Sequence, residues 1–273
     1  MATMKIAVIV TTYNRPDALA AVLDGCLAQY DRGFEIVVAD DGSGPETAAT
    51  VAACRGRTEI AIGHVRQEDR GFRAGAVRNR ALALTGADYV IFTDGDCLPL
   101  QGFIAGHRRL AERKWFAAGN RVLIGEDLSR RILAEHLPVH AWSMGRWFQA
   151  FLKREVNRLL PLLPLPVPGW LRKLPARRWQ GVMTCNLAAW REDLLAVNGF
   201  DEEYQGWGLE DSDLTIRLLH AGLRRKSARF AAPVLHLWHP ENDRGTLAEN
   251  RRRLEALLRS REIRARQGVD RYL

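Results

Sequence analysis

The chain has 273 residues, 47% of them hydrophobic and 26% charged. That balance excludes collagen-like, wholly disordered and disulfide-stapled miniature proteins and suits one large α/β domain or two small ones. Lysine and arginine number 40 against 32 aspartates and glutamates, a formal charge of +8, which favours an anionic partner: nucleotide phosphates, nucleic acid or an acidic lipid surface.

Lys5–Val10 is a β-branched run closed by Thr11-Thr12-Tyr13-Asn14, and Arg15-Pro16 then opens an apolar-periodic stretch with Leu19, Val22, Leu23 and Cys26. This predicts a strand, a loop and an amphipathic helix, with proline near the helix start, where its missing N–H is harmless. The unit recurs. Phe34–Ala39 reads as a buried strand ending in Asp40-Asp41-Gly42-Ser43, and Thr47–Cys54 as a helix. Ile60–Val65 is a third strand, Ala74–Leu84 a third helix, and Tyr89–Thr93 a fourth strand ending in Asp94-Gly95-Asp96. Alternating elements with short connections predict an α/β fold with a mostly parallel, Rossmann-like central sheet flanked by helices, a single large domain with an insertion. In such sheets ligands bind beyond the carboxyl ends of the strands, where the three polar clusters fall.

After Asp96 the alternation weakens. Residues 136–180 form a Pro-, Trp- and Arg-rich segment, read as a basic aromatic insertion. Regular patterning returns from Gly181 to Phe200 and leads into Gly206-Trp207-Gly208-Leu209-Glu210-Asp211-Ser212-Asp213 and a helix through His220; a basic tail is read as helical from Leu247 to Arg266. The expected organisation is a first half at 1–98, a second half at 99–240 carrying the insertion at 136–180, and a tail at 241–273. Cys26, Cys54, Cys97 and Cys185 show no C-x-x-C pair and read as reduced, buried thiols of a cytosolic protein. Neither an export signal nor a membrane span is expected, because the apolar stretch Leu159–Leu171 is short and broken by four prolines.

Asp94-Gly95-Asp96 places two hard oxygen ligands at i and i+2 on the same side of an extended backbone, suited to Mn²⁺ or Mg²⁺ shared with substrate phosphates, or else a solvated turn. Asp40-Asp41-Gly42-Ser43 is either a simple turn or a carboxylate poised to accept hydrogen bonds from a base or ribose. Arg73, Arg78 and Arg80 are phosphate binders or a solvated helix face. In Glu210-Asp211-Ser212-Asp213, at least one acid is expected to be a capping residue, while Trp207 beside paired acids describes a sugar-stacking platform with a general base. His236-Leu237-Trp238-His239 offers a metal ligand.

Together Thr11–Pro16 (TTYNRP), Val37–Ser43 (VVADDGS), Asp94–Asp96 and Asn198–Asp213 (NGFDEEYQGWGLEDSD) resemble family 2 glycosyltransferases of the GT-A fold, in the branch with a galactosyltransferase-like C-terminal half. The resemblance implies that Thr11, Tyr13 and Asp41 line the nucleoside pocket, Asp41 reading uracil. It puts Arg78 near the diphosphate, Asp94 and Asp96 on ribose and metal, and His239, with His236 as the alternative, in the metal site. Trp207 and Glu210 would bind the acceptor and Asp211 would be the base. Where relatives often carry W-G-G-E-D this chain has Leu209, expected to crowd the donor–acceptor junction.

The implied activity is inverting, metal-dependent transfer from a nucleotide sugar, expected to be a UDP-sugar, to a glycan or lipid-linked hydroxyl in bacterial surface-polysaccharide or lipopolysaccharide synthesis. The expected location is the cytoplasm, with peripheral contact to an anionic membrane through the insertion and tail arginines such as Arg251, Arg252 and Arg253. Two rivals stand beside it. A sugar nucleotidyltransferase would need a glycine-rich loop after the first strand, and none is present; a nucleic-acid-binding module leaves the acidic strand ends without a role, so no nucleic-acid partner is expected.

Overall fold

The computed structural model describes residues 4–240, 243 and 245–273. In chain order the elements are β1 (Ile6–Thr12), α1 (Pro16–Leu27), β2 (Phe34–Asp40), α2 (Pro45–Arg55), β3 (Ile62–Arg66), α3 (Ala74–Leu84), β4 (Tyr89–Asp94), β5 (Cys97–Pro99) and α4 (Phe103–Leu110). There follow β6 (Trp115–Ala118), β7 (Arg121–Leu123), α5 (Glu126–Ala134), α6 (Met144–Leu152), α7 (Gly169–Arg172), β8 (Leu187–Trp190) and α8 (Arg191–Ala196). The chain closes with α9 (Glu210–His220), β9 (Arg224–Ser227), β10 (Val234–His236) and α10 (Leu247–Arg259).

The main sheet has seven strands in the order β3-β2-β1-β4-β8-β6-β9. β3, β2, β1 and β4 are mutually parallel, β8 is antiparallel to both β4 and β6, and β9 runs parallel to β6. Side chains alternate strictly between two cores, as the period of a strand demands. Ile6, Val8, Val10, Ile36, Val38, Tyr89 and Ile91 join one cluster; Ile9, Val37, Ala39, Val90 and Phe92 join the other. Leu19, Val22, Leu23 and Cys26 of α1 cover the first face, while Val77, Ala81 and Leu82 of α3 cover the second. Pro16 and Pro45 begin α1 and α2, where no helical N–H is lost.

Register brings the polar strand ends to one level: Thr12 pairs with Asp40, and Thr11 with Asp94. A second sheet, β5-β10-β7, stands beside them and pairs His236 with Cys97 and Val234 with Arg121. It carries one histidine to the edge of the Asp94–Asp96 turn.

Residues 136–180 contain α6, α7 and two short 3-10 turns, Val139–Ala141 and Leu160–Leu162. Val139, Trp147, Ala150, Val156 and Leu162 are buried in the first core, and Trp142 lies against Trp147 with ring centroids 4.8 Å apart. The tail is helical only to Arg259, short of the expected Arg266. Beyond it apolar spacing fails, and Ser260 turns to extended backbone before Ala265 and Val269 return to the core. All four cysteines are free and buried, and among the described residues no helix is long and apolar enough to cross a membrane.

Candidate active site

A cleft of about 690 Å³ opens at the carboxyl ends of β1, β2 and β4. Every residue to which the resemblance gave a role lines it: Thr11, Tyr13, Asp41, Arg78, Asp94, Asp96, Trp207, Glu210, Asp211, His236 and His239; the other candidates Asp40, Arg73, Arg80 and Asp213 do not.

The two aspartates at the end of β2 divide their work. Asp40 is fully buried; its Oδ1 accepts from the Gly42 and Ser43 N–H groups at 3.2 and 2.8 Å, and its Oδ2 lies 3.1 Å from His64 Nε2, so it shapes the turn. Gly42 has φ +99°, and a Cβ there would sit 2.6 Å from the Asp69 backbone, so the turn requires glycine. Asp41 faces the cleft. Burial raises its pKa, opposed by the Arg73 N–H, donating at 2.8 Å, and by the Gln67 amide. Tyr13 is half-exposed at the rim and donates its hydroxyl to Asp69 at 2.9 Å.

Asp94 ends β4, but Gly95 and Asp96 form a turn, so the two carboxylates do not share one side of an extended strand as the spacing suggests. The Gly95 N–H donates to the Thr11 carbonyl at 2.7 Å, and a Cβ on Gly95 would meet Thr12 at 2.9 Å, so the turn folds hard against β1. Asp94 turns inward to Arg78. Asp96 turns outward to two imidazoles, its Oδ2 lying 3.7 Å from His236 Nε2 and 3.5 Å from His239 Nε2.

Three ligand atoms of Asp96, His236 and His239 lie within 4.8 Å of one another, a donor set that fits a divalent cation. His239 Nδ1 is 2.6 Å from the Pro240 carbonyl, which places the ring proton on Nδ1 and leaves the Nε2 lone pair facing Asp96. Burial lowers the His236 pKa to about 4, so this ring is neutral at neutral pH. The sequence left the two histidines as alternatives; the fold puts both at Asp96. A second cluster, Asp94 with Cys97 and Cys185, suits a cation less well, because burial pushes the Cys97 thiol well above its ordinary pKa and keeps it protonated.

Arg78, 4% exposed, joins three elements: Nε donates to Thr11 Oγ1 at 2.9 Å, Nη2 to Asp94 at 3.0 Å and Nη1 to Glu210 at 3.2 Å. Asp94 still titrates above an ordinary carboxyl, because burial outweighs the pull of Arg78 and the charges of Asp96 and Glu210 add to it.

The acids of α9 part company in the same way. Asp213 is buried and bound through Oδ1 to Arg217, whose guanidinium also donates to the Val197 and Gly199 carbonyls at 2.6 and 2.8 Å. It pins α9 to the Asn198–Gly199 turn and has no face on the cleft. Asp211 Oδ1 accepts from the Ser212 N–H at 2.7 Å, while its Oδ2 accepts no hydrogen bond among the described residues. Burial first, and the Glu210 charge second, raise the Asp211 pKa to about 7. A half-ionised carboxylate with a free oxygen, near neutral pH, is a competent general base.

The loop before α9 is bent by Gly206 (φ +71°), Gly208 (φ +103°) and Leu209 (φ +76°). Leu209 holds a left-handed conformation, which costs a non-glycine residue about 1–2 kcal/mol. It lines the cleft and also packs against the Ile216, Leu254 and Leu257 cluster between α9 and α10. A Cβ on Gly206 would lie 1.9 Å from Thr246 Oγ1, and Asn250 of α10 donates to the Gln205 and Gly208 carbonyls at 3.1 and 3.0 Å. The tail helix therefore sets the Trp207 loop, a role its basic composition did not suggest. The sequence reading also missed Arg121 on β7, which lines the cleft and whose side chain makes no hydrogen bond or ion pair among the described residues, although the charges of Asp94 and Asp96 act on it. No local motif marks it; only the pairing of β7 with β10 brings it there.

The glycosyl transferase family 2 model matches residues 7–169, and a model described as the N-terminal domain of galactosyltransferase matches residues 172–240. Validoxylamine A glucosyltransferase of Streptomyces hygroscopicus subsp. jinggangensis is 30% identical over 238 residues, covering 80% of this chain and 52% of that protein. Chondroitin synthase of Escherichia coli is 26% identical over 240 residues, covering 83% and 34% respectively. The chain thus spans about half the length, or less, of these curated relatives. Among solved structures, TarS of S. aureus in complex with UDP superposes with TM-score 0.62 at 17% identity, covering 98% of this chain and 68% of that one. The mannosyltransferase PcManGT of Pyrobaculum calidifontis, in complex with GDP-Man and Mn²⁺, gives 0.57 at 20% identity, covering 91% and 60%. These likenesses show a GT-A fold, and the match over more than half the chain makes it a member of glycosyl transferase family 2.

Proposed function

We propose that the chain is an inverting, divalent-cation-dependent glycosyltransferase that moves a sugar from a nucleoside diphosphate, UDP in the first instance, to a hydroxyl of a glycan or lipid-linked acceptor. The observation that carries the reading is the free Oδ2 of Asp211, opening onto the cleft that also holds Asp96, His236 and His239. Thr11, Tyr13 and Asp41 are assigned to the nucleoside, with Asp41 accepting from the base. Asp94 is assigned to the ribose, and Arg121 joins Arg78 in offsetting diphosphate charge. Asp96, His236 and His239 would hold Mn²⁺ or Mg²⁺, the two imidazoles favouring Mn²⁺. When bound, the cation neutralises negative charge on the departing diphosphate.

Trp207 stacks on the acceptor sugar and Glu210 fixes one of its hydroxyls. Asp211 Oδ2 takes the proton of the attacking hydroxyl as the new bond to the anomeric carbon forms on the face opposite the diphosphate, and no covalent enzyme intermediate arises. The acceptor is assigned to bacterial surface-glycan assembly at an anionic membrane face. The test is calorimetry of UDP, GDP and UDP-sugars with Mn²⁺ and then with excess EDTA. Binding of UDP that requires the cation, with one UDP-sugar preferred, is expected; cation-independent binding or none overturns the assignment.

A further inference from the structure

A second cavity, of about 700 Å³, shares no residue with the donor cleft. It lies between the end of α4, the Pro164–Lys173 strap and the edge strand β9. Its walls are apolar, with Leu165, Val167, Trp170 and Phe230, but four cations meet there, Arg109, Arg172, Lys173 and Lys226, against one carboxylate, Glu112. Glu112 is shared between Lys173, at 2.7 Å, and Lys226. Arg172 holds the strap in place: Nε donates to the Val167 carbonyl at 3.2 Å, and Nη1 to those of Ser227 and Arg229 at 3.0 and 2.7 Å. Its Nη2 has no partner among the described residues, and neither does the side chain of Arg109, which is exposed. Burial, with Arg109 adding repulsion, depresses the Arg172 pKa, so like charges crowd the cavity. Beside it Trp170 and Leu174 are 67% and 72% exposed, and Leu165 and Leu171 are over a third exposed.

We propose that this cavity binds the phosphate of an anionic phospholipid headgroup, with Trp170, Leu171 and Leu174 seated in the same bilayer interface. The inference rests on the membrane-surface part of the function proposed above and on nothing in the donor cleft. Charge complementarity selects the occupant: surplus cations match a phosphate, and tryptophan and leucine beside them match the interfacial layer, where an amphipathic ring is stable. The tail contributes less, because Arg252 and Arg253 are already paired with Glu249 and Glu203.

The experiment is cosedimentation of the full chain with vesicles of mixed phosphatidylglycerol and phosphatidylcholine, against phosphatidylcholine alone. Binding is expected only to the anionic vesicles. One basic side chain near such a surface contributes about a fivefold change in affinity. Arg109→Gln with Lys173→Gln should therefore weaken binding roughly 30-fold, and Trp170→Ala should weaken it as well, whereas Arg251→Gln with Arg252→Gln should leave most of it. Should the double variant fold poorly, Arg109→Gln alone, at an exposed and unpaired residue, carries the test at about fivefold. Equal binding to both vesicle types, indifference to the cavity variants, loss through the tail variants, or cavity-dependent binding of inorganic phosphate by a chain that does not bind the anionic vesicles would each overturn the proposal. UDP calorimetry on the same preparations reads the donor cleft separately, so a failed transferase assignment and a failed lipid site are told apart.

Discussion

Asp211→Asn keeps the shape of the side chain and removes its charge, so it isolates proton transfer from packing. With a pKa of about 7, roughly a tenth of the wild-type carboxyl is ionised at pH 6 and nine-tenths at pH 8. Turnover should therefore rise about tenfold across that interval. The variant should lose the inflection and turn over about 10² to 10⁴ times more slowly, with UDP affinity near normal. Stability moves the other way. The folded pKa stands above the unfolded value, so the folded state holds this proton more tightly, and the stability it brings is complete below about pH 4 and lost as pH rises through 7. The move from 3.8 to about 7 corresponds to roughly 4 kcal/mol. The open side of the cleft screens part of it, leaving on the order of 1–2 kcal/mol. Asparagine carries no such cost, so the variant should melt above wild type at pH 8 and level with it at pH 4. Wild-type turnover, or a surviving inflection near neutrality, would refute the assignment of Asp211 as base. A melting difference independent of pH would refute the buried-charge argument.

Asp213→Asn strips the partner from Arg217, whose side chain is 1% exposed; chemical denaturation should show a loss of about 3–5 kcal/mol, in contrast to its neighbour two residues away. Arg121→Ala removes a cation whose side chain forms no ion pair among the described residues, and calorimetry should show UDP affinity with Mn²⁺ falling at least tenfold, at the ~1.5–3 kcal/mol of a hydrogen bond to a charged group. Asn250→Ala frees the Gln205 and Gly208 carbonyls; acceptor KM should rise while UDP binding holds, and unchanged acceptor kinetics would show that α10 does not set the Trp207 loop.

The N-terminal half of the main sheet was legible because it is written in local patterns. Buried runs of period two, short polar closures and proline at the helix starts fix β1 to β4 and α1 to α3, and parallel register then forces Thr11, Asp40 and Asp94 to one edge. Division of labour inside each motif was not legible. Asp40 and Asp41, or Asp211 and Asp213, are chemically the same in sequence, and only burial against His64 or Arg217 makes one of each pair structural. The Asn198–Phe200 turn, which opens the motif that carried the family resemblance, does scaffolding work: Asn79 accepts from the Phe200 N–H at 2.8 Å and donates to its carbonyl at 2.8 Å. Gln67 and Asn250 act through partners remote in the chain, and Arg121 reaches the cleft only through the pairing of β7 with β10; no periodicity encodes such pairings.

The cleft sets five carboxylates, Asp41, Asp94, Asp96, Glu210 and Asp211, against three guanidiniums, those of Arg15, Arg78 and Arg121, in a chain whose formal charge is +8. A bare nucleoside diphosphate approaching a basic molecule is thus drawn in from a distance and repelled at the door. On the function proposed, a nucleotide whose charge is already offset by a divalent ion meets less opposition, so the acids would act as a filter on the form in which the donor arrives. Salt then acts with opposite signs at two ranges: screening slows the long-range capture of the complexed nucleotide and eases the short-range exclusion of the uncomplexed one.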